Sequence, residues 1–157
     1  MKKNMLLMMS VCMLVFTSII PVSAKDINTI KPSNIEAERE DVSLEEALQD
    51  PTFSLEEASK EESALTRATT YWKVWGEMEY RQSDNTARPV GYSQHISDGK
   101  VLNTYHYTRT YLDNGVGGKK GDSGRQWGYG TVRAVGTYCM IDVWDTAIHT
   151  VKYGTED

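Results

Sequence analysis

The chain contains three histidines, His95, His106 and His149, and imidazole is the commonest metal ligand among side chains. Their spacings of 11 and then 43 residues match no ligand pattern, and the short His-x-His or Cys-x-x-Cys pairs of metal sites are absent. Cys139 lies in the apolar run 135–141, where a buried thiol resists ionisation and makes a poor nucleophile beside any of these histidines. We therefore predict structural histidines, an inert core thiol, no metal site and no cofactor.

The tetrapeptide Gly-Asp-Ser-Gly at residues 121–124 is the second feature with possible chemistry. The same four residues surround the nucleophile of trypsin-like serine proteases, where the serine needs a histidine base and an aspartate that orients it. His95 and His106 precede Ser123 in the protease order, but the chain is too short for two β-barrels and lacks the motif around the protease histidine. In a glycine-rich stretch these residues also form an ordinary turn, so we predict no catalytic residue.

Tyrosine and tryptophan are the most informative residue types. All nine tyrosines and all four tryptophans lie at or after Tyr71. Such side chains combine rigid apolar area with a polar tip, which suits contact with a protein, a glycan or a membrane interface. Nucleic acid is excluded as a partner because residues 69–157 carry ten basic and ten acidic side chains and no basic stripe. The candidate binding residues are Trp75, Tyr92, His95, Tyr105, His106, Tyr107, Arg125 and Trp127.

The N-terminus predicts export. Lys2 and Lys3 precede an apolar run over residues 5–20, and the small residues Val-Ser-Ala occupy 22–24. This layout is typical of a secretory signal peptide, here residues 1–24, with cleavage before Lys25. The run is shorter than the roughly 20 residues that span a bilayer, so we expect a secreted, extracellular protein with no transmembrane span after cleavage. Cys139 is then the single remaining cysteine, which excludes an intramolecular disulfide.

Residues 25–68, called the leader below, differ in composition from the residues that follow. They carry twelve acidic and five basic side chains, a net charge of −7, and Phe53 is their one aromatic residue. Ser-Leu-Glu-Glu-Ala occurs at 43–47 and again at 54–58, and a serine followed three residues later by glutamate is typical of a helix start. We expect an acidic, partly helical or disordered leader. It is either a solvated linker or a propeptide that shields the domain and is cut near Arg67.

Residues 69–157 show the pattern of a β domain. Apolar and polar residues alternate over 71–81, with Trp72 on one side and Lys73 on the other, as in a half-buried strand, and Trp75 falls on the polar side. Asp98-Gly99 predicts a tight turn, and 113–124 predicts a loop. We predict an all-β fold, a small antiparallel β-sandwich of five to seven strands. The strands are expected at 71–81, 90–96, 101–112, 126–135, 138–144 and 147–153.

Short motifs in this domain resemble the lactococcin 972 family of secreted bacteriocins, over roughly residues 71–136. That family has a signal peptide, a single small β-sandwich, no required disulfide and no enzymatic activity. The resemblance implies an antibacterial protein that acts at the envelope of neighbouring cells, and it implies no catalytic residues. The acidic leader and the C-terminal strands depart from the family pattern. The motifs are Tyr92-Ser93-x-His95, Gly99-Lys100, His106 with Thr108 and Thr110, 122–125, Trp127-Gly128 and 132–134.

Together these patterns predict a secreted, non-enzymatic β-sandwich that binds a partner at a cell surface. The partner is expected to be a bacterial cell-envelope component, a surface protein or a glycan, and bacteriocin-like activity is the most concrete form of this function. Two alternatives remain open. One is a small secreted hydrolase that uses Ser123 with a histidine, or a metal held by the three histidines. The other is an adhesin or glycan-binding module that uses Trp75.

Overall fold

The computed structural model describes residues 27–30, 35–59, 69–113, 118–140 and 147–156. The predicted signal peptide, residues 1–24, and the predicted cleavage point near Arg67 lie outside these ranges. Within them, no helix has the length and apolar character that crossing a membrane requires. The described residues build two facing β-sheets, which confirms the predicted all-β sandwich.

The first sheet has six strands and is built on a long hairpin. β3 (Thr70–Arg81) and β4 (Thr86–Ser97) pair antiparallel along their whole length, from Thr70 opposite Ser97 to Arg81 opposite Thr86. β1 (Ile27–Ile30) pairs with the other edge of β3. Three short strands pair with the other edge of β4: β5 (Lys100–Val101), β9 (Thr131–Val135) and β10 (Cys139–Met140).

The second sheet has five strands, and β6 (Tyr105–Asp113) lies at its centre. β11 (Ile148–Gly154) pairs antiparallel with one edge of β6, and β2 (Ile35–Arg39) then adds parallel to β11. The other edge of β6 pairs with β7 (Lys119–Lys120) and β8 (Gln126–Tyr129). A leader segment therefore forms the edge of this sheet.

The structure divides two of the predicted strands where the chain crosses between sheets. The predicted strand 126–135 is split at Gly130, whose φ of 68° lets β8 end in one sheet and β9 begin in the other. The predicted strand 101–112 is split because the turn at Asp98 and Gly99, with φ of 48° and 74°, first returns β5 to β4. The tight turn itself was predicted and is present.

The two sheets approach closely because glycines and short polar side chains form much of the layer between them. Gly76 and Gly91 lie opposite each other in the β3–β4 register. A Cβ on Gly76 would lie 2.4 Å from Cε1 of His149, and a Cβ on Gly91 would lie 2.9 Å from Cβ of Thr110. Any larger side chain at either position would therefore push the sheets apart.

The leader is part of this architecture. It supplies β1 and β2, and it also forms two one-turn helices, α1 (Leu44–Ala47) and α2 (Leu55–Ala58). As the repeated motif predicted, the hydroxyl of Ser43 accepts from the N–H of Glu46, and the hydroxyl of Ser54 accepts from the N–H of Glu57. A solvated linker does not fit these contacts, because Ala47 is fully buried against the second sheet.

Candidate binding face

Four aromatic side chains of the second sheet share its outer surface, and we call this set the aromatic face: Tyr105 and Tyr107 on β6, and Trp127 and Tyr129 on β8. Residues alternate between the two faces of a strand, so the neighbours His106 and Thr108 point inward instead. The inward direction is fixed by the hydroxyl of Thr108, which lies 2.5 Å from that of Ser93 in the first sheet.

The leader covers the aromatic face. The ring of Phe53 packs edge-on against Trp127, with centroids 4.9 Å apart, and lies 5.9 Å from the ring of Tyr105. Val42 and Ala47 complete a buried cluster with these rings. As a result Tyr107, on the outer surface of a sheet, has no solvent exposure at all.

Each polar tip of the aromatic face meets a leader group. The indole Nε1 of Trp127 donates to Oδ2 of Asp50 at 3.1 Å, and the hydroxyl of Tyr105 accepts from the N–H of Ser54 at 2.7 Å. The hydroxyl of Tyr107 donates to the carbonyl of Glu40 at 2.5 Å, and that of Tyr129 to the carbonyl of Glu57 at 2.6 Å. Because buried polar atoms are costly without partners, these bonds fix the position of the leader.

Charge complementarity adds to this contact. Lys152 on β11 places its Nζ 2.7 Å from a carboxylate oxygen of Glu40 and 3.0 Å from one of Glu38. The hydrogen bond with Glu40 raises the pKa of Lys152, and the same bond lowers the pKa of the Glu40 carboxyl. Arg125 faces Asp50 at 3.4 Å. Burial raises the pKa of Tyr107 to about 12, so its hydroxyl stays a hydrogen-bond donor at neutral pH.

The structure brings four of the eight candidate residues together at this location: Tyr105, Tyr107, Arg125 and Trp127. Trp75 and Tyr92 lie elsewhere, on the solvent side of the first sheet. They face each other across β3 and β4, and their rings stack with centroids 4.9 Å apart and planes 6° from parallel. The Nζ of Lys73 lies 5.3 Å from the Trp75 ring, and both aromatic residues are half-buried.

The two remaining candidates, His95 and His106, flank Trp72 on the inner side of the first sheet. The His95 ring stacks on Trp72 at 4.5 Å, and the fully buried His106 ring meets it edge-on at 5.0 Å. Burial lowers the pKa of both histidines. His95 also lines a cleft of about 420 Å³ with Arg39, Thr70, Trp72, Thr104, Thr155 and Glu156.

The Gly-Asp-Ser-Gly tetrapeptide lies between β7 and β8 and hydrogen-bonds to β6. The hydroxyl of Ser123 accepts from the N–H of Thr110 at 2.9 Å and donates to the carbonyl of Gly124 at 2.7 Å. Asp122 forms a two-point ion pair with Arg109, and its Oδ1 lies 2.8 Å from the guanidinium Nε. Among the described residues, neither Ser123 nor Asp122 hydrogen-bonds to a histidine. The Ser123 hydroxyl is thus held by backbone groups instead of being activated by a base.

The histidines do not converge on a common point in the described part of the chain, where no group of three or more potential metal ligands occurs. His149 lies on the inner side of the second sheet, with Nε2 2.7 Å from the hydroxyl of Thr110. Cys139 is half-buried, and its Sγ lies 3.5 Å from the carbonyl of Ala87 on the neighbouring strand.

Sequence reasoning missed the leader side of this contact, in particular Glu40, Asp50, Thr52 and Phe53. The hydroxyl of Thr52 accepts from the N–H of Trp127 and donates to the carbonyl of Arg125, each at 3.1 Å. One signal was available. Phe53 is the single aromatic residue in an acidic segment, and it lies between the two capped helices.

Comparison of the chain with protein-family models, with curated proteins and with solved structures finds no match. The lactococcin 972 resemblance therefore remains a prediction from the sequence.

Proposed function

We propose that this protein is a secreted, non-enzymatic β-sandwich that binds a component of a bacterial cell surface through its aromatic face, with a bacteriocin-like antibacterial effect. In this proposal the leader acts as a propeptide that covers the face until the protein reaches its target. The partner is an envelope component, a surface protein or a glycan, and no cofactor takes part.

The observation that carries the proposal is the covering of the aromatic face by the leader. Tyrosine and tryptophan provide large contact areas at low conformational cost, and clusters of them are typical of binding hot spots. If the leader moved away, the rings of Tyr105, Tyr107, Trp127 and Tyr129 would form a contiguous exposed patch, which is unusual for a monomer that binds nothing.

The charges of the same surface indicate what kind of partner would suit it. Arg125 and Lys152 now face the leader carboxylates of Asp50, Glu38 and Glu40. Without the leader they would be cations beside an aromatic patch. Such a surface favours partners that combine anionic groups with apolar or sugar faces, and many bacterial envelope polymers have this chemistry.

The test measures cell binding and growth inhibition with three purified proteins: wild-type 25–157, the shortened chain 69–157, and 25–157 with the D50A/F53A substitutions. The two substitutions weaken the contact between the leader and the aromatic face. We expect the second and third forms to bind cells and inhibit growth about tenfold more strongly than the first, since a tethered leader competes at high effective concentration. L55A is the matched control because Leu55 is exposed in the same segment. Equal activity of all forms would show that the leader is not a cover, and no binding by any form would refute the proposal.

The Trp75–Tyr92 stack supports a second candidate, an adhesin or glycan-binding module that acts through the opposite side of the sandwich. This pair lies on the solvent side of the first sheet, next to Lys73, whereas the aromatic face belongs to the second sheet. The W75A variant separates the two functions. Loss of cell binding in W75A, together with no gain of binding in D50A/F53A, would favour this second surface.

A further inference from the structure

We propose that the leader-binding groove is a peptide-binding site in its own right, and that it accepts the leader of a second copy of this chain. The groove consists of the edge of β11 with which β2 pairs, Lys152, Arg125 and the aromatic face. The proposal shares with the proposed function only the premise that the leader can leave its site, and it needs no cell-surface partner.

The backbone contact has the form of strand addition. β2 pairs parallel with β11 from Ile35 opposite His149 to Arg39 opposite Tyr153. The ladder continues when the N–H of Glu40 donates to the carbonyl of Tyr153 at 2.9 Å. A peptide that adds to an exposed sheet edge in this way gains affinity from main-chain bonds and specificity from its side chains.

The contact is entirely long-range along the chain. The paired residues of β2 and β11 are more than a hundred positions apart, so no turn or crossover links the two strands directly. A leader from another copy would make the same bonds with the same register. This is the condition under which segments exchange between identical chains.

The side chains define what the groove recognises. At one end of the groove, Lys152 forms ion pairs with Glu38 and Glu40, which are two residues apart. At the other end Arg125 and Trp127 bind the carboxylate of Asp50, while Phe53 enters between Trp127 and Tyr105. A basic groove with an aromatic pocket thus selects an extended acidic segment with one aromatic anchor, and the leader of a second copy has this composition by definition.

The length of the chain permits exchange. Nine residues, 60–68, join the described leader to the start of the hairpin at residue 69. Fully extended, a stretch of nine residues spans roughly 30 Å, which is comparable with the diameter of a small domain. Segment 35–59 could therefore reach the groove of an adjacent copy once β1, which pairs with β3 of its own chain, is released as well.

The test uses a fluorescent synthetic peptide of residues 35–59 and the full secreted chain 25–157. We expect the peptide to bind the D50A/F53A chain at least about tenfold more tightly than wild type, because the intact tethered leader of wild type competes for the groove. Fluorescence anisotropy measures the binding. A peptide carrying L55A should bind like the wild-type peptide, whereas one carrying F53A should bind about tenfold more weakly.

A folded D50A/F53A chain that does not bind the peptide overturns the proposal. A D50A/F53A chain that has lost its cooperative β unfolding also overturns it, because the leader would then be a constituent of the core and not a separable ligand. Peptide binding by a chain that neither binds nor inhibits cells would leave this proposal standing and refute the proposed function alone.

Discussion

Acid should destabilise this protein through His149, in a pH range above the usual titration of carboxyl groups. The side chain is 1% exposed. Its Nε2 is bonded to the Thr110 hydroxyl, and its Nδ1 has no hydrogen-bond partner in the described structure. Burial lowers the pKa of His149 to about 4, from a usual value of 6.5. Gly76 lies directly against the ring, so the imidazole has no room to turn toward water.

The sign of the effect follows from proton uptake. Between pH 6.5 and pH 4 the unfolded chain binds a proton at this histidine and the folded chain does not, so the free energy of unfolding falls as the pH falls. Each unit of pKa difference corresponds to about 1.4 kcal/mol, which gives a loss of roughly 3 kcal/mol across the window. His106, whose pKa is also lowered by burial, contributes in the same direction.

Urea unfolding followed by tryptophan fluorescence at pH 7, 5.5 and 4.5 measures this effect. Wild type should lose about 2–3 kcal/mol between the first and last pH. H149Q should start less stable and lose much less with pH. H95Q changes a half-buried histidine whose pKa is also lowered by burial, so it should reduce the slope by a smaller amount. Equal slopes for H149Q and wild type would refute the inference that burial holds the His149 pKa down.

Four other substitutions test the packing and the site. Gly76→Ala should lower the free energy of unfolding by about 1–3 kcal/mol, because the new Cβ meets the His149 ring, and urea unfolding measures it. Tyr107→Phe should cost about 1 kcal/mol and speed amide exchange in the leader, through loss of the bond to its backbone. Ser123→Ala should cost about 1 kcal/mol in the same unfolding assay but leave cell binding unchanged. Cys139→Ser should change stability by less than about 1.5 kcal/mol and leave the mass under non-reducing conditions unaltered.

Local patterns predicted the elements whose stability is local or periodic. The alternation over 71–81 predicted β3, and the Asp98-Gly99 dipeptide predicted the turn. The serines of the repeated motif predicted both helix caps. β2 could not be predicted in this way. Its strand exists because the edge of β11, distant in the sequence, supplies its hydrogen bonds, and an acidic strand of this kind has low propensity by itself.

Local patterns also predicted some residues of the candidate site, but not the leader contact that covers them. Tyrosine and tryptophan on strands mark surfaces suited to contact, and four of the selected residues do share one location. The sequence pattern does not distinguish the aromatic residues that the leader covers from those that it leaves uncovered. Tyr105 and Tyr107 differ from Trp75 and Tyr92 only in the sheet they occupy and in what packs on it, and both depend on contacts between distant parts of the chain.

The distribution of apolar packing links stability to the proposed function. Between the sheets, buried threonines and glycines leave room for close approach but bury limited apolar area around Thr108 and Thr110. The four rings of the aromatic face are covered on the outer surface, by the leader. Removing the leader would therefore take stabilisation from the sandwich at the same time as it exposes the binding surface. A partner that covers the aromatic face would restore that stabilisation, so the free energy of leader docking sets the minimum that a partner, or the leader of a second copy, must supply in order to displace it.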